Sequence, residues 1–537
     1  MHKKTYLCGD YTTVSHTSTD ISSHYKSLAN TRDRGTTMAH FLKYTGVFGG
    51  VQGAVMLINV VRNKLTTKLL DIVGFGLLAE YSAIPESLHG STNFGIPFSS
   101  VRRAAELFEQ GDEKAITDFV SVVRTWCLWI GLFGAIVCLV GAYPLSIILF
   151  DGCWQNTLRI MCLSPMLVCM GITAGEASIL KGLRRLKRIA IITVCAAVIT
   201  LLLTVPIYWL MGIDGIILAM NISTAGVMVV HLSLTLPLYR WNVSLLSADT
   251  FHAGWSMIKI GVPYVLAAVA GSFMSMAIIA ILKRNGGDEI VGLYRVGYII
   301  MGTYACLVFA AFEADFFPRL SSVNDNIPLR NELVNKQIDV SVLLMGPLLV
   351  AILVMMPVII DILYTPRFLP ATAMAVCAVF YPFLRALSVP ISYMALARGD
   401  SHIYLAAEVI YDFVSVMLIW VCFTHWGLIG AGIGLSLSAL FDILLVGVGY
   451  GIIYKIRLSP ATICYAAVQA GAVVATTALC LATEGWIKYA LGALLIIASS
   501  AYSFIMLKRN NSFDEIWLKV SKKKRDSNTQ ANSQSEE

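Results

Sequence analysis

From residue 41 to residue 507 the chain is apolar almost without pause, and polar positions come only as short interruptions. A run of about 20 apolar residues crosses a bilayer as a helix, because lipid offers no partner to an exposed backbone amide. The pattern predicts fourteen such spans, of which 70–97 and 119–150 exceed a single crossing and predict tilt, a kink or an end outside the bilayer. The landmarks inside the runs also recur. Gly76-Leu77-Leu78 has its counterpart in Gly292-Leu293-Tyr294, Phe150 and Trp154 in Tyr364 and Phe368, and Lys181-Gly182 in Arg398-Gly399, at offsets of 216, 214 and 217. A repeat of that length carried by hydrophobic spans is a transporter signature.

The expected fold is therefore all-α, a polytopic membrane protein of two pseudo-symmetric six-helix bundles. Residues 41–239 form the N-lobe and 255–453 the C-lobe, each 199 residues long, joined by a cytoplasmic linker at 240–254. Six spans return the chain to its starting side, so the halves share one orientation about an axis along the membrane normal. Residues 454–507 add two spans. A polar tail at 1–40 and a basic, then polar, tail at 508–537 are expected to be disordered. The longest loops on the other side, 63–69 and 283–289, leave no room for a folded catalytic domain.

Composition agrees: 57% of residues are hydrophobic and 14% charged, against about 25% charged in soluble proteins. With the N-terminus inside, cytoplasmic segments hold 30 of the 40 Lys and Arg residues, which places both termini in the cytoplasm. The net charge of +7 reports this topology; the cations form no stripe interleaved with aromatics, so nucleic acid is not an expected partner. The twelve cysteines form neither CxxC nor Cys/His ligand spacing, so no metal is expected. Residues 1–38 lack the apolar core of a signal peptide, and KKKR at 522–525 suits anionic lipid headgroups.

The segment VGLYRVGYIIMGTYACLVFAAFEADFFPRLSSV at 291–323 resembles the eighth span of Wzx-type flippases in the multidrug/oligosaccharidyl-lipid/polysaccharide (MOP) exporter superfamily. So does 346–409, with GPLLV, ILYTPRFLPA and YMALARGD; weaker likenesses lie in LLDIVGFGLL, NFGIPFSSVRRAAE and LKGLRRLKR. The resemblance covers roughly residues 40–453 and implies two lobes around a central cavity that rock between access states. It further implies a bacterial inner-membrane flippase for polyprenyl-pyrophosphate-linked oligosaccharide, such as an O-antigen, common-antigen-like or capsular repeat unit. Membrane lipids, a glycan polymerase and chain-length machinery are the partners it implies. Fourteen spans exceed the twelve of many such flippases, and the polar N-terminal extension has no counterpart among them.

Charges inside the bilayer cost about 2.5–3.5 kcal/mol or more unless they face a wet cavity or a partner, so they mark the candidate site. Arg385, between Pro382 and Pro390, cannot snorkel and can fork two bonds to a phosphate, or pair with a carboxylate. Arg295 lies five residues into the eighth span, and its repeat equivalent, Ala79, adjoins Glu80. A Glu80–Arg295 pair across the lobes is the expected gate. Glu176, and Glu408 with Asp412 one helical turn apart, are candidate carriers for a proton or sodium gradient. Asn93 and Asn221 offer amides to sugar hydroxyls or to neighbouring helices, and His231 reads as a packing residue. No cofactor and no catalytic residue are expected. The alternatives are a multidrug cation/proton antiporter of the same superfamily and, from a different class, a membrane glycosyltransferase or polymerase. The antiporter prefers an acidic cavity; the enzyme needs catalytic loops outside the bilayer.

Overall fold

The computed structural model describes residues 31–509 apart from 151, 244–247, 307–308, 310–315, 318, 322, 324–325 and 484, with the backbone alone at 31–49 and at scattered positions elsewhere. Residues 1–30 and 510–537, and the helix-end acids Glu313 and Asp315, lie outside the described residues. Two compact units are present. One comprises 1–50 and 516–537, described only as helical backbone from Thr31 to residue 50, so helix replaces the irregular chain expected over 31–40. The other, 51–515, contains everything that follows.

Helix α1 (Thr31–Thr92) from residue 51 onward, with α2 (Ile96–Gln110), α3 (Glu113–Phe150), α4 (Trp154–Met161), α5 (Ser164–Gly182), α6 (Leu186–Met211) and α7 (Ile216–Thr235), makes the N-lobe. Helices α8 (Ala248–Tyr298), α9 (Ile327–Leu363), α10 (Ala371–Cys377), α11 (Phe380–Arg398) and α12 (Ser401–Tyr454) make the C-lobe, followed by α13 (Pro460–Ala482) and α14 (Trp486–Arg509). No strand occurs among the described residues. Eight described segments are long and apolar enough to cross a membrane. Val140, Leu210 and Ile452, each at least 75% exposed, belong to an apolar exterior that only lipid can cover. The chain is a multi-pass membrane protein.

The repeat is written in the backbone. Helix runs through 63–69 and 283–289, where loops were expected, and bends instead at one residue, Asp71 (φ 59°, ψ −172°) in the N-lobe and Gly287 (φ 75°, ψ −177°) in the C-lobe, 216 positions apart. The expected linker is likewise helical from Ala248. A second matched pair of bends lies at Gly212 (φ 55°, ψ −133°) and Gly427 (φ 58°, ψ −140°), 215 apart. Helices α5 and α11 each hold 19 residues and each follows a short helix across a break. The left-handed residues after them are Arg184 (φ 52°) and Gly399 (φ 76°), so Gly399 answers to Arg184 and not to Gly182. Asp71 occupies a region that only glycine adopts freely, at a cost of about 1–3 kcal/mol, whereas its partner in the repeat is a glycine.

Each lobe ties down the end of its sixth span with a buried arginine, because the last carbonyls of a helix lack partners of their own. In the N-lobe, Arg124 on α3 forks onto Glu176 of α5 at 2.6 and 3.1 Å and donates to the carbonyls of Tyr239 and Arg240 at 3.0 and 2.9 Å. In the C-lobe, Arg330 on α9 donates to the carbonyl of Tyr454, which answers to Tyr239 at an offset of 215. Helices α13 and α14 are pinned to α9 by Gln469, which sits against Gly346 and bonds Ser503 and Ser499 at 2.7 Å each.

Arg124→Ala leaves a buried carboxylate unpaired and is expected to lower stability in detergent by about 3–5 kcal/mol. Adding Glu176→Ala should cost less than the two single changes together. Strict additivity in unfolding measurements would contradict this pairing.

Candidate functional site

We call the cation-rich side of the protein inner and the opposite side outer. Between the lobes lie two cavities, one of about 380 Å³ against the N-lobe and one of about 260 Å³ against the C-lobe, and Ala79 and Arg295 line both. They are the same place in the two halves of the repeat. Asn59, Arg62 and Ser82 of the first answer to Ser275, Ile278 and Tyr298 of the second, and Thr200 to Ser415. Arg295 comes from α8 of the C-lobe, eight residues past the bend at Gly287, which carries it about 12 Å inward from that bend.

The linings have diverged. The N-lobe cavity sets Arg62 and Arg295 against one carboxylate, Glu86, among ten Asn, Ser, Thr and Tyr side chains. The C-lobe cavity sets Arg295 and Arg385 against Glu408 and Asp412, with four tyrosines. Arg385 is only partly free, since Nη1 lies 3.1 Å from Asp442 and the guanidinium faces the Tyr411 ring at 5.7 Å. Ser388 also donates to Asp442 at 2.6 Å, so one carboxylate fixes both. The lining is thus mixed overall and positive only on the N-lobe side.

On the outer side the lobes are sealed by backbone on backbone. A Cβ added at Gly76 of α1 would overlap the Asp288 carbonyl and lie 3.0 Å from the Gly292 amide; one added at Gly292 of α8 would overlap the Ile72 carbonyl. Gly76 and Gly292 are repeat equivalents, as are Ile72 and Asp288, so the crossing sits on the pseudo-twofold axis. Phe75 plugs it edge-on against Tyr364 and Phe368, with centroids 6.2 and 5.9 Å apart. Asp71 pairs with Arg367 from the other lobe.

Glu80 is fully buried, and its partner is Lys283, not the expected Arg295: Lys283 Nζ stands 3.2 Å from its carboxylate and also reaches Asp288. Helix geometry explains the change. Ala79 faces the cavities, and the next residue is turned by about 100°, toward the first arm of α8. The pair still joins the two lobes, and the Lys283 ammonium lies 5.4 Å from the Phe150 ring.

Of the other residues singled out from sequence, Asp412 lines the C-lobe cavity beside Glu408 and Arg385. Glu176 is engaged by Arg124, away from both cavities. Asn93 accepts from the Gly95 amide at 2.9 Å and shapes the turn between α1 and α2. Asn221 bonds the carbonyls of Cys162 and Ile217, and His231 that of Val227, each at 2.9 Å. Sequence reasoning missed Arg62, Glu86, Lys283 and Asp442. Glu86 and Asp442 lie inside predicted spans and meet the same test that selected Glu80. Arg62 closes the first predicted span and Lys283 opens a stretch read as an outer loop, whereas helix continues past both.

Residues 68–373, more than half of the chain, match a family model described as "Polysaccharide biosynthesis protein". No curated protein matches in sequence. Among solved structures, a lipid II flippase, MurJ, in an inward closed conformation superposes with a TM-score of 0.65 at 14% identity, covering 86% of this chain and 99% of that one. An inward-facing multidrug resistance MATE family transporter of the MOP superfamily gives 0.58 at 15% identity, covering 73% and 95%. The chain has the MOP transporter fold.

If the Glu80–Lys283 pair holds the outer seal, Lys283→Glu should leave a second buried carboxylate beside Glu80 and part the lobes there. A cysteine at position 79 should then react with an impermeant thiol reagent added from outside, in a background without native cysteines. Exchanging the charges, Glu80→Lys with Lys283→Glu, should restore protection. Equal labelling in all three proteins would remove the pair from the gate.

Proposed function

Because the chain belongs to the polysaccharide biosynthesis protein family, we propose that it is a flippase that moves lipid-linked oligosaccharide across a bacterial inner membrane by alternating access. Both termini face the cytoplasm in this reading, and the cargo passes from the cytoplasmic to the periplasmic leaflet. The observation that carries it is the N-lobe cavity, where two guanidiniums stand among hydroxyls and amides beneath an outer seal. Guanidinium forks suit the oxygens of a pyrophosphate, and the neutral donors and acceptors suit sugar hydroxyls. A polyprenyl chain can remain in lipid beside the protein while its polar head crosses between the lobes. No bond is made or broken, so the residues have only to bind, shield and release.

Glu408 and Asp412 are the proposed ion-coupling pair, answering to a proton or sodium gradient, and they stand across the C-lobe cavity from the cargo's anionic head. The same acids, with Asp442 behind them, favour a second reading as a cation antiporter. The two readings part on cargo. A glycan polymerase and chain-length machinery downstream would complete the assembly of the exported polymer.

In proteoliposomes, the purified protein should translocate polyprenyl-pyrophosphate-linked oligosaccharide, and Arg295→Gln should slow it at least tenfold at substrate below saturation, where about 1.4 kcal/mol of lost head-group binding gives that factor. A lipophilic cation should not be moved. Deletion of the gene should remove a surface glycan and accumulate its lipid-linked precursor; transport of the cation with no flipping of the glycan lipid would establish the antiporter instead.

A further inference from the structure

The N-lobe holds one more cavity, of about 370 Å³, lined by side chains that include His89, Thr173, Thr200, Ser223 and Thr224. Thr200 and Ser223 also line the larger N-lobe cavity, so this smaller trough adjoins it. His89 follows Glu86 by three residues on α1, which places the addition on the inner side of the guanidiniums. The Thr173 hydroxyl is buried there and bonds no described residue. A buried hydroxyl without a partner is costly, and a ligand that supplies one relieves it.

Among the described residues, the equivalent positions of the C-lobe carry different side chains. Val227, Thr173 and Ala177 of the trough answer to Asp442, Val389 and Tyr393. Asp442 is taken up by Arg385 and Ser388, and Tyr393 packs on Phe316 and Phe317 with centroids 6.3 and 6.1 Å apart. At these positions the C-lobe side chains are engaged with one another, where the N-lobe presents a cavity that hydroxyls help to line.

We infer that this trough is a binding site for the neutral oligosaccharide of the cargo, so that the glycan lies along the N-lobe wall while its pyrophosphate sits at Arg62 and Arg295. The inference rests on the flippase reading and adds a direction to it. Thr173, Thr200, Thr224 and His89 meet sugar hydroxyls, and Met170 and Val227 lie under the apolar C–H faces of the rings. Sugars beyond the first occupy the trough; the first remains beside the guanidiniums. Thr173 and its neighbours therefore discriminate cargo by what lies beyond the first sugar.

The test compares two synthetic substrates in proteoliposomes, a polyprenyl-pyrophosphate-linked monosaccharide and the corresponding tetrasaccharide. Ala174→Phe, which fills the trough at a distance from Arg62 and Arg295, should slow tetrasaccharide flipping at least tenfold and leave the monosaccharide rate within twofold of wild type. Thr173→Val, too small a change to threaten folding, should slow the tetrasaccharide alone, by several-fold. Equal loss with both substrates, or no loss with either, overturns the trough while leaving the flippase intact. Wild-type protein that moves neither substrate overturns the flippase reading itself, and the trough with it.

Discussion

Two helix backbones meet where Gly76 and Gly292 cross, with no side chain between them, and the outer closure is built around that contact. Carbonyl against glycine leaves nothing that can rotate aside, so the lobes either touch there or separate as bodies. Because both glycines lie on the repeat axis, the same contact sets the symmetry about which one lobe can turn on the other. The surrounding groups are graded around it. Phe75 fills the space toward Tyr364 and Phe368, Glu80 and Lys283 cross the interface in a buried ion pair, and Asp71 reaches Arg367 in the exposed ring. A buried pair costs desolvation that its attraction only partly offsets, which makes it a fitting latch, since little net energy is needed to exchange it for water.

Beneath that closure, a duplicated scaffold has been put to two uses. The bends and the breaks before α5 and α11 recur in both lobes, and each lobe holds the end of its last helix with an arginine, although Arg124 and Arg330 do not occupy equivalent positions. The lining differs. Arg62 stands where the C-lobe has Ile278, and Val227 where the C-lobe has Asp442. The N-lobe gained cations and hydroxyl-lined volume; the C-lobe gained carboxylates, tyrosines and packing. In the proposed function, this division is what would let an anionic head and an ion-coupling pair share one chamber.

Much of the architecture was legible in the sequence because a bilayer forces apolar runs into helices, and because glycines at a crowded crossing leave a trace at a fixed offset. Gly76 and Gly292 form one such repeat pair, and each lies against the other's helix. The loops were misread for a physical reason. A lysine or asparagine beside an apolar run signals an aqueous loop, yet 63–69 and 283–289 stay helical and bend at a single left-handed residue, which carries Arg62 and Lys283 into the interface. The partner of Glu80 was misassigned because one residue of helical rotation, invisible to composition, decides which wall a side chain faces. Arg124 and Glu176 were both visible as residues, but their pairing across helices 52 positions apart was not.

Alternating access requires the outer crossing to open in each cycle. Asp71 and Arg367 face one another from opposite lobes at that crossing, so cysteines placed at both positions, in a background without the native ones, can be joined by a short reducible bis-thiol reagent. The rate of lipid-linked oligosaccharide flipping in proteoliposomes, measured before joining, after joining and after reduction, is the decisive quantity. Flipping should stop when the bridge is made and return when it is cut; a bridged protein that flips at the unbridged rate would contradict alternating access through this gate.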